Sequence, residues 1–259
     1  MIPRGNVEVV KDVFAAWGRR DREAMRELFQ PDGEFRSAIV GGIEGGTYRG
    51  HDDIERNFAD LDEAFDHWHT EDERFLDVGG DVVVGLYRIV GQGKGSGVPV
   101  DRAVGIVFTL RDGKIHLGEV HLDPQDALRA GFAHSFALFG ASDMDAAVAN
   151  LDPDVEWEHQ PGTGAPEEGV YRGREQVRSL LGRLREAWDD FQVDVRDVVD
   201  RGSEFVVNGI IHARGRVSDI ELEGECEYGI EFRDSKAVRI RFTTRTSPVL
   251  PPREARDVA

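Results

Sequence analysis

The sequence predicts an α+β protein made of two tandem units, each with three N-terminal helices followed by a mostly antiparallel sheet. Three observations predict it. Tyr48-Arg49-Gly50 recurs as Tyr171-Arg172-Gly173, 123 positions later. Each copy leads into a helical stripe with apolar spacings of four, three and four: Ile54, Phe58, Leu61, Phe65, then Val177, Leu181, Leu184, Trp188. After each stripe the period changes from helical to two.

In the first unit, Asn6 is expected to cap a helix that buries Val10, Val13, Phe14 and Trp17. Asp21 is placed as the cap of a short helix carrying Ala24, Met25 and Leu28, which Pro31-Asp32-Gly33 stops. Residues 34–38 read as a short strand and 40–47, with four glycines, as a loop. The stripe helix runs from about His51 to Asp66. Strands follow over 75–78, 82–90, 98–110 and 115–122, with glycine-bearing hairpin turns. Asp123-Pro124-Gln125 opens the second unit, where Leu128, Phe132, Phe136 and Phe139 repeat the first helix. Its strands are expected over 155–159, 193–199, 205–213, 220–232 and 237–244, with Asp234-Ser235-Lys236 as a turn. The domain bounds are 1–123 and 124–247, with a loose tail over 248–259.

Fifty acidic against 32 basic residues give a net charge of -18, which argues against nucleic acid and anionic membranes as partners. With 40% hydrophobic residues the composition is globular. Cys226 is the only cysteine, so no intrachain disulfide can form, and a reducing cytoplasm fits. No leader and no apolar run of about 18 residues is seen, so neither a secretion signal nor a transmembrane helix is expected.

The final hairpin alternates. Ile220, Leu222, Cys226, Tyr228, Ile230 and Phe232 share one face with Phe242; Glu221, Glu223, Glu225, Glu227 and Glu231 share the other with Arg239, Arg241 and Arg245. That charged ladder reads as a solvated face or as a contact surface between the units.

Gly46-Thr47-Tyr48-Arg49-Gly50, Phe108 to Ile115, Asp123 to Leu128, Val170-Tyr171-Arg172-Gly173 and Phe232 to Lys236 resemble SnoaL-like domains. These belong to the ketosteroid isomerase and limonene epoxide hydrolase superfamily, with the nuclear transport factor 2-like fold. The resemblance covers about residues 6 to 246. It implies a cone in each unit: a curved sheet around the long helix, with an apolar pocket for a small apolar ligand and no cofactor. It also implies pairing through the outer sheet face, which two copies could satisfy within one chain as a pseudo-dimer.

For chemistry, the resemblance points to isomerisation, cyclisation or epoxide opening of a polyketide- or terpenoid-like compound. Alternation on the last strand of the first unit sets His116, Gly118, Val120 and Leu122 inward. Epoxide hydrolase-like members have an acidic residue at the place of Val120, and the second unit has Phe242 there. Glu119 and His121 fall on the opposite face. The Arg-x-Asp pair is also absent, its places being Leu86 and Arg88, then Gly209 and Ile211. The isomerase base lies at the end of the first strand, at Ser37 and His159. Of these His159 is the candidate base, since histidine exchanges protons near neutral pH. Tyr228 is the candidate donor to a developing oxyanion. Against these stand a strand-end histidine in water and a core tyrosine.

The pocket lining is expected to include Trp17, Ser37, Phe58, Arg88, His116 and Val120 in the first unit. In the second it includes Trp157, Leu181, Cys226 and Phe242. Arg88 interrupts an apolar strand, and pointing inward it needs an anion. Cys226 reads as a buried, inert thiol. His67 and His69 flank Trp68 with no third ligand at a usable spacing, so no metal is expected. An acid pair for epoxide opening could come only from Glu158 with Glu186 or Asp189, and alternation sends Glu158 outward. A non-catalytic binding module is the competing reading, because both units lack the family's carboxylate. If the two units pair within the chain, sedimentation at micromolar concentration gives a single chain; a stable dimer contradicts that arrangement.

Overall fold

A computed structural model describes residues 5–39, 46–137, 144–160 and 168–248. The chain divides into two compact units: Met1–Gly131 with Asp234–Lys236, and Phe132–Arg233 with Ala237–Ala259. The loop expected over 40–47 falls largely outside the described residues, as do Phe139 and the tail beyond residue 248.

The first unit runs α1 (Asn6–Arg19), α2 (Arg22–Leu28), β1 (Phe29–Ser37), β2 (Gly46–Arg49), α3 (Gly50–Ala64), β3 (Phe65–Gly79), β4 (Val82–Gly93), β5 (Pro99–Arg111) and β6 (Lys114–His121). Its sheet has the order β2-β1-β6-β5-β4-β3, and only the β1–β6 pair is parallel. The second unit repeats the pattern: α4 (Pro124–Ala137), α5 (Met144–Ala149), β7 (Leu151–His159), β8 (Gly169–Arg172), α6 (Gly173–Ala187), β9 (Gln192–Asp200), β10 (Phe205–Arg214), β11 (Glu221–Arg233) and β12 (Lys236–Pro248). Its sheet order is β8-β7-β12-β11-β10-β9. Both units pack their helices on a curved sheet, the expected α+β class.

Local chemistry explains the starts and stops. Asp21 caps α2, its carboxylate accepting from the Ala24 amide at 3.1 Å. Asn6 is not the cap of α1: Gly5 holds that place, and the Asn6 amide donates to Asp81 at 2.9 Å. In each Tyr-Arg-Gly copy the glycine is the first residue of the long helix, with φ of 70° at Gly50 and 78° at Gly173. A Cβ there would stand 3.3 Å from the Pro31 carbonyl and 3.4 Å from that of Pro153.

The core of the first unit forms where α1 and α3 meet the inner sheet face. Val13, Phe14, Trp17, Ile54, Phe58 and Leu61 close on Phe35, Phe75, Tyr87, Ile106, Phe108 and Val120. The other face of β4 and β5 is covered as well. A Cβ on Gly105 would lie 2.4 Å from that of Ala127, and one on Gly131 would strike the Val84 side chain.

Three expectations need correction. β3 begins at Phe65, directly after α3, and is bulged after Asp66 and Glu71. The residues His67 to His69 therefore lie on a strand, with Trp68 buried and His69 2.8 Å from Glu71. The last turn is only Asp234-Ser235, both with positive φ, not three residues.

Gly50→Ala and Gly173→Ala each force a side chain into left-handed backbone, so each is expected to lower stability by about 1–2 kcal/mol. Urea denaturation measures this; a neutral result at either glycine removes the requirement for positive φ there.

Candidate functional site

The inner face of the second sheet carries a row of side chains set by register. Phe242 on β12 pairs with His159 on β7, and Tyr228 on β11 pairs with Val207 on β10. Phe242 stands between the two polar residues. Its ring centroid is 4.8 Å from the His159 ring and 4.7 Å from that of Tyr228. Trp157 flanks both, at 6.3 and 6.5 Å. His159 is 2% exposed and Tyr228 4%, so neither lies at a wet strand end. Just past His159 the chain is fixed by the Gln160 amide donating to the Phe242 carbonyl at 3.1 Å. The Thr243 hydroxyl also donates to the Gln160 side chain at 3.0 Å.

Burial pushes the Tyr228 phenol well above its ordinary range, so it remains a protonated donor at any working pH. Cys226 shares this face, and burial raises its thiol to about 11. Trp157 and Leu181 are buried in the same unit. An imidazole and a phenol on either side of an aromatic floor can move one proton and donate one hydrogen bond to an anion.

The corresponding row of the first unit lacks both groups. Ile106 on β5 pairs with Val120 on β6 and Gly85 on β4, and Ser37 ends β1. Trp17, Phe58 and Val120 lie in the core there, as expected of lining residues. Ser37 is buried, its hydroxyl accepting from the Ile39 amide at 3.3 Å.

Two lining expectations fail. Arg88 is on the opposite face of β4, with its guanidinium 3.1 Å from Asp101 and 3.2 Å from Asp72. The bulge in β6 pairs both Ile115 with Leu110 and Gly118 with Phe108. His116 is therefore the extra residue of the bulge rather than a member of the inward set, half-buried with its Nδ1 out of contact with solvent. Leu122 is exposed. Glu119 does face outward, 3.0 Å from Arg36. The acid pair finds no support: Glu158 is 3.7 Å from Arg239, and Asp189 is 2.7 Å from Arg216. No group of three or more His, Cys, Asp or Glu among the described residues could hold a metal ion.

The outer face of the second sheet carries a cavity of about 710 Å³ lined by Arg201, Glu204, Asn208, Glu225, Glu227 and Arg241. Arg241 and Glu204 form an ion pair across it. Charges of both signs meet there, so it favours neither an anion nor a cation.

One buried set went unread in the sequence. Asn57 on α3 is 0% exposed, and neither atom of its carboxamide has a hydrogen bond of good geometry, although it lies close to the Tyr48 hydroxyl, whose pKa burial raises. Tyr48 donates instead to Asp60 at 2.6 Å. The Trp17 indole nitrogen and the Tyr87 hydroxyl are likewise buried without partners. Each such group costs about 1–3 kcal/mol. The signal was available, because the repeat places Leu180 where the first unit has Asn57.

The SnoaL-like domain family matches residues 10–117 and again 132–246. Among solved structures, a protein from Jannaschia sp. described as a SnoaL-like polyketide cyclase is 28% identical; the match covers 49% of this chain and 92% of that one, with a TM-score of 0.40. A ketosteroid isomerase-like protein from Catenulispora acidiphila, solved with trimethylamine, is 22% identical over 48% of this chain and 92% of its own, TM-score 0.40. TerC, co-crystallised with polyporic acid, is 23% identical over 46% of this chain and 90% of its own, also at 0.40. A comparison with curated proteins finds no match. With the family covering both units and the fold repeated in each, the chain belongs to the SnoaL-like family and carries its domain twice.

Proposed function

We propose that the second unit is a cofactor-independent acid–base catalyst, isomerising or cyclising a small apolar polyketide- or terpenoid-like compound. The observation that carries this reading is the placement of His159 and Tyr228, both buried on one inner face and separated by Phe242. The substrate lies over the Phe242 ring. The His159 imidazole takes a proton from carbon beside a carbonyl, and the Tyr228 hydroxyl donates to the enolate oxygen that forms. The proton then returns to a different carbon, or to oxygen after a carbon–carbon bond closes. Burial strengthens both interactions, because little water competes for either group.

Division of labour between the units follows. With Ser37, Val120 and Ile106 in the matching row, the first unit has no comparable proton acceptor there. Epoxide opening by an acid pair is disfavoured, because Glu158 and Asp189 are engaged with arginines.

Three outcomes are expected. With a substrate that turns over, His159→Ala lowers kcat by about 10²–10⁴-fold, the usual contribution of a general base. Tyr228→Phe lowers kcat with little change in KM. Unchanged turnover in His159→Ala removes the base from this scheme. The raised Cys226 thiol is expected to resist iodoacetamide at pH 8 until the chain is unfolded, and treated protein should keep full turnover. Rapid native labelling with loss of turnover would instead make the thiol a participant.

A further inference from the structure

His159 and Tyr228 stand on different strands, so their spacing depends on how β12, which lies between β7 and β11, is tied to each. Three hydrogen bonds around Phe242 make the ties. The Gln160 amide donates to the Phe242 carbonyl at 3.1 Å, and the Thr243 hydroxyl donates to the Gln160 side-chain oxygen at 3.0 Å. Both join β12 to the residue that follows His159. The Thr244 hydroxyl donates to the Glu225 carbonyl at 3.0 Å, on the strand that carries Tyr228. Thr244 is buried, so little water competes for that bond.

The other copy of the fold lacks these groups. Its register is the same, Phe35 pairing with Gly118 as Trp157 pairs with Ile240. Ala38, His121 and Leu122 therefore occupy the places of Gln160, Thr243 and Thr244. Ala38 and Leu122 are exposed and have no hydrogen-bonding side chain, and the His121 ring lies 3.9 Å from Glu119 instead. The first sheet has the same strand order without them, so folding alone does not require these bonds. They occur in the copy that also holds the imidazole and the phenol. Gln160 and Thr243 border the cavity on the outer face, so neither touches a substrate lying over Phe242.

We propose that Gln160, Thr243 and Thr244 are positioning residues, which hold His159 and Tyr228 at the separation that proton transfer across Phe242 requires. The inference rests on the acid–base reading of the second unit. Gln160 and Thr243 act on His159: β7 ends at that residue, and the two bonds are its last ties to β12 among the described residues. Without them the imidazole sits at a strand end free to fray. Thr244 acts on Tyr228, because Glu225 precedes it on the same strand. Both groups must reach one substrate at hydrogen-bond distance at the same time, and a displacement of about 1 Å costs up to about a hundredfold in rate.

Valine keeps the branched shape of threonine and removes the hydroxyl. With a substrate that turns over, Thr243→Val and Thr244→Val are each expected to lower kcat about ten- to a hundredfold with little change in KM, and Thr243→Ser and Thr244→Ser to restore most of it. Gln160→Ala removes the same side-chain bond from its other end, so its loss and that of Thr243→Val do not add. Should Thr244→Val not fold, Thr243→Val and Gln160→Ala still carry the test. A second readout needs no substrate. The Phe242 ring lies 4.8 Å from His159 and 4.7 Å from Tyr228, so ring-proton NMR signals of His159 shift in Thr243→Val and those of Tyr228 in Thr244→Val. Loss of turnover in His159→Ala, together with normal kcat and unmoved signals in the valine variants, overturns the positioning role and leaves the base in place. Full turnover in His159→Ala removes the acid–base reading, and this inference with it. A fall in kcat that serine does not restore marks a merely structural role and overturns the proposal as well.

Discussion

Each unit depends on one backbone reversal, the step from a four-residue strand directly into the long helix at Gly50 and Gly173. A residue with a side chain would be strained at those φ values, and its Cβ would press on the carbonyl of Pro31 or Pro153. Because the reversal leaves no linker, α3 and α6 start against β1 and β7, and their apolar stripes fall on the inner sheet face. That placement buries Phe58 and Leu181 and makes the inner face an interior. The parallel pairs β1–β6 and β7–β12 then bring the end of the first strand next to the last strand. His159 can reach Phe242 only through that pairing.

Within this frame, burial decides what each polar group can do. An imidazole at the end of an exposed strand would be one more solvated base. At 2% exposure, between Trp157 and Phe242, it is shielded from water, which strengthens any polar interaction it makes. The same low polarity keeps the Tyr228 phenol and the Cys226 thiol protonated. In the first unit it makes an unsatisfied carboxamide expensive, by about 1–3 kcal/mol. Interior polarity is thus concentrated at different positions in the two copies: on sheet residues His159 and Tyr228 in one, on Trp17, Asn57 and Tyr87 in the other.

Much of this was legible in the chain. The repeat located both long helices, and alternation on β11 correctly sent Cys226 and Tyr228 inward and the glutamates outward. Alternation failed where it needs an uninterrupted count. One bulge in β6 turned His116 out of the inward set, and a bulge leaves no clear trace in composition. Arg88 was misplaced for a different reason. Val82, Val83 and Val84 are all buried, because helices cover the inner face of β4 and the start of α4 covers the outer, so the strand shows no polar side from which to set parity. The burial of His159 was invisible because Gln160-Pro161-Gly162 follows it and reads as an open loop.

Comparison of the two copies explains where function can change without loss of the fold. The glycine reversals, the proline carbonyls beneath them and the stripe residues recur, because altering them dismantles the frame. His159 against Ser37, Tyr228 against Ile106 and Leu180 against Asn57 differ, yet all occupy buried positions on the inner side. Ordinary packing would keep such positions apolar, since each polar side chain there must find a partner or bear a desolvation cost. Polar residues at four of these six places, in different patterns, are therefore hard to ascribe to folding alone. The two interiors therefore differ in chemistry while sharing one frame.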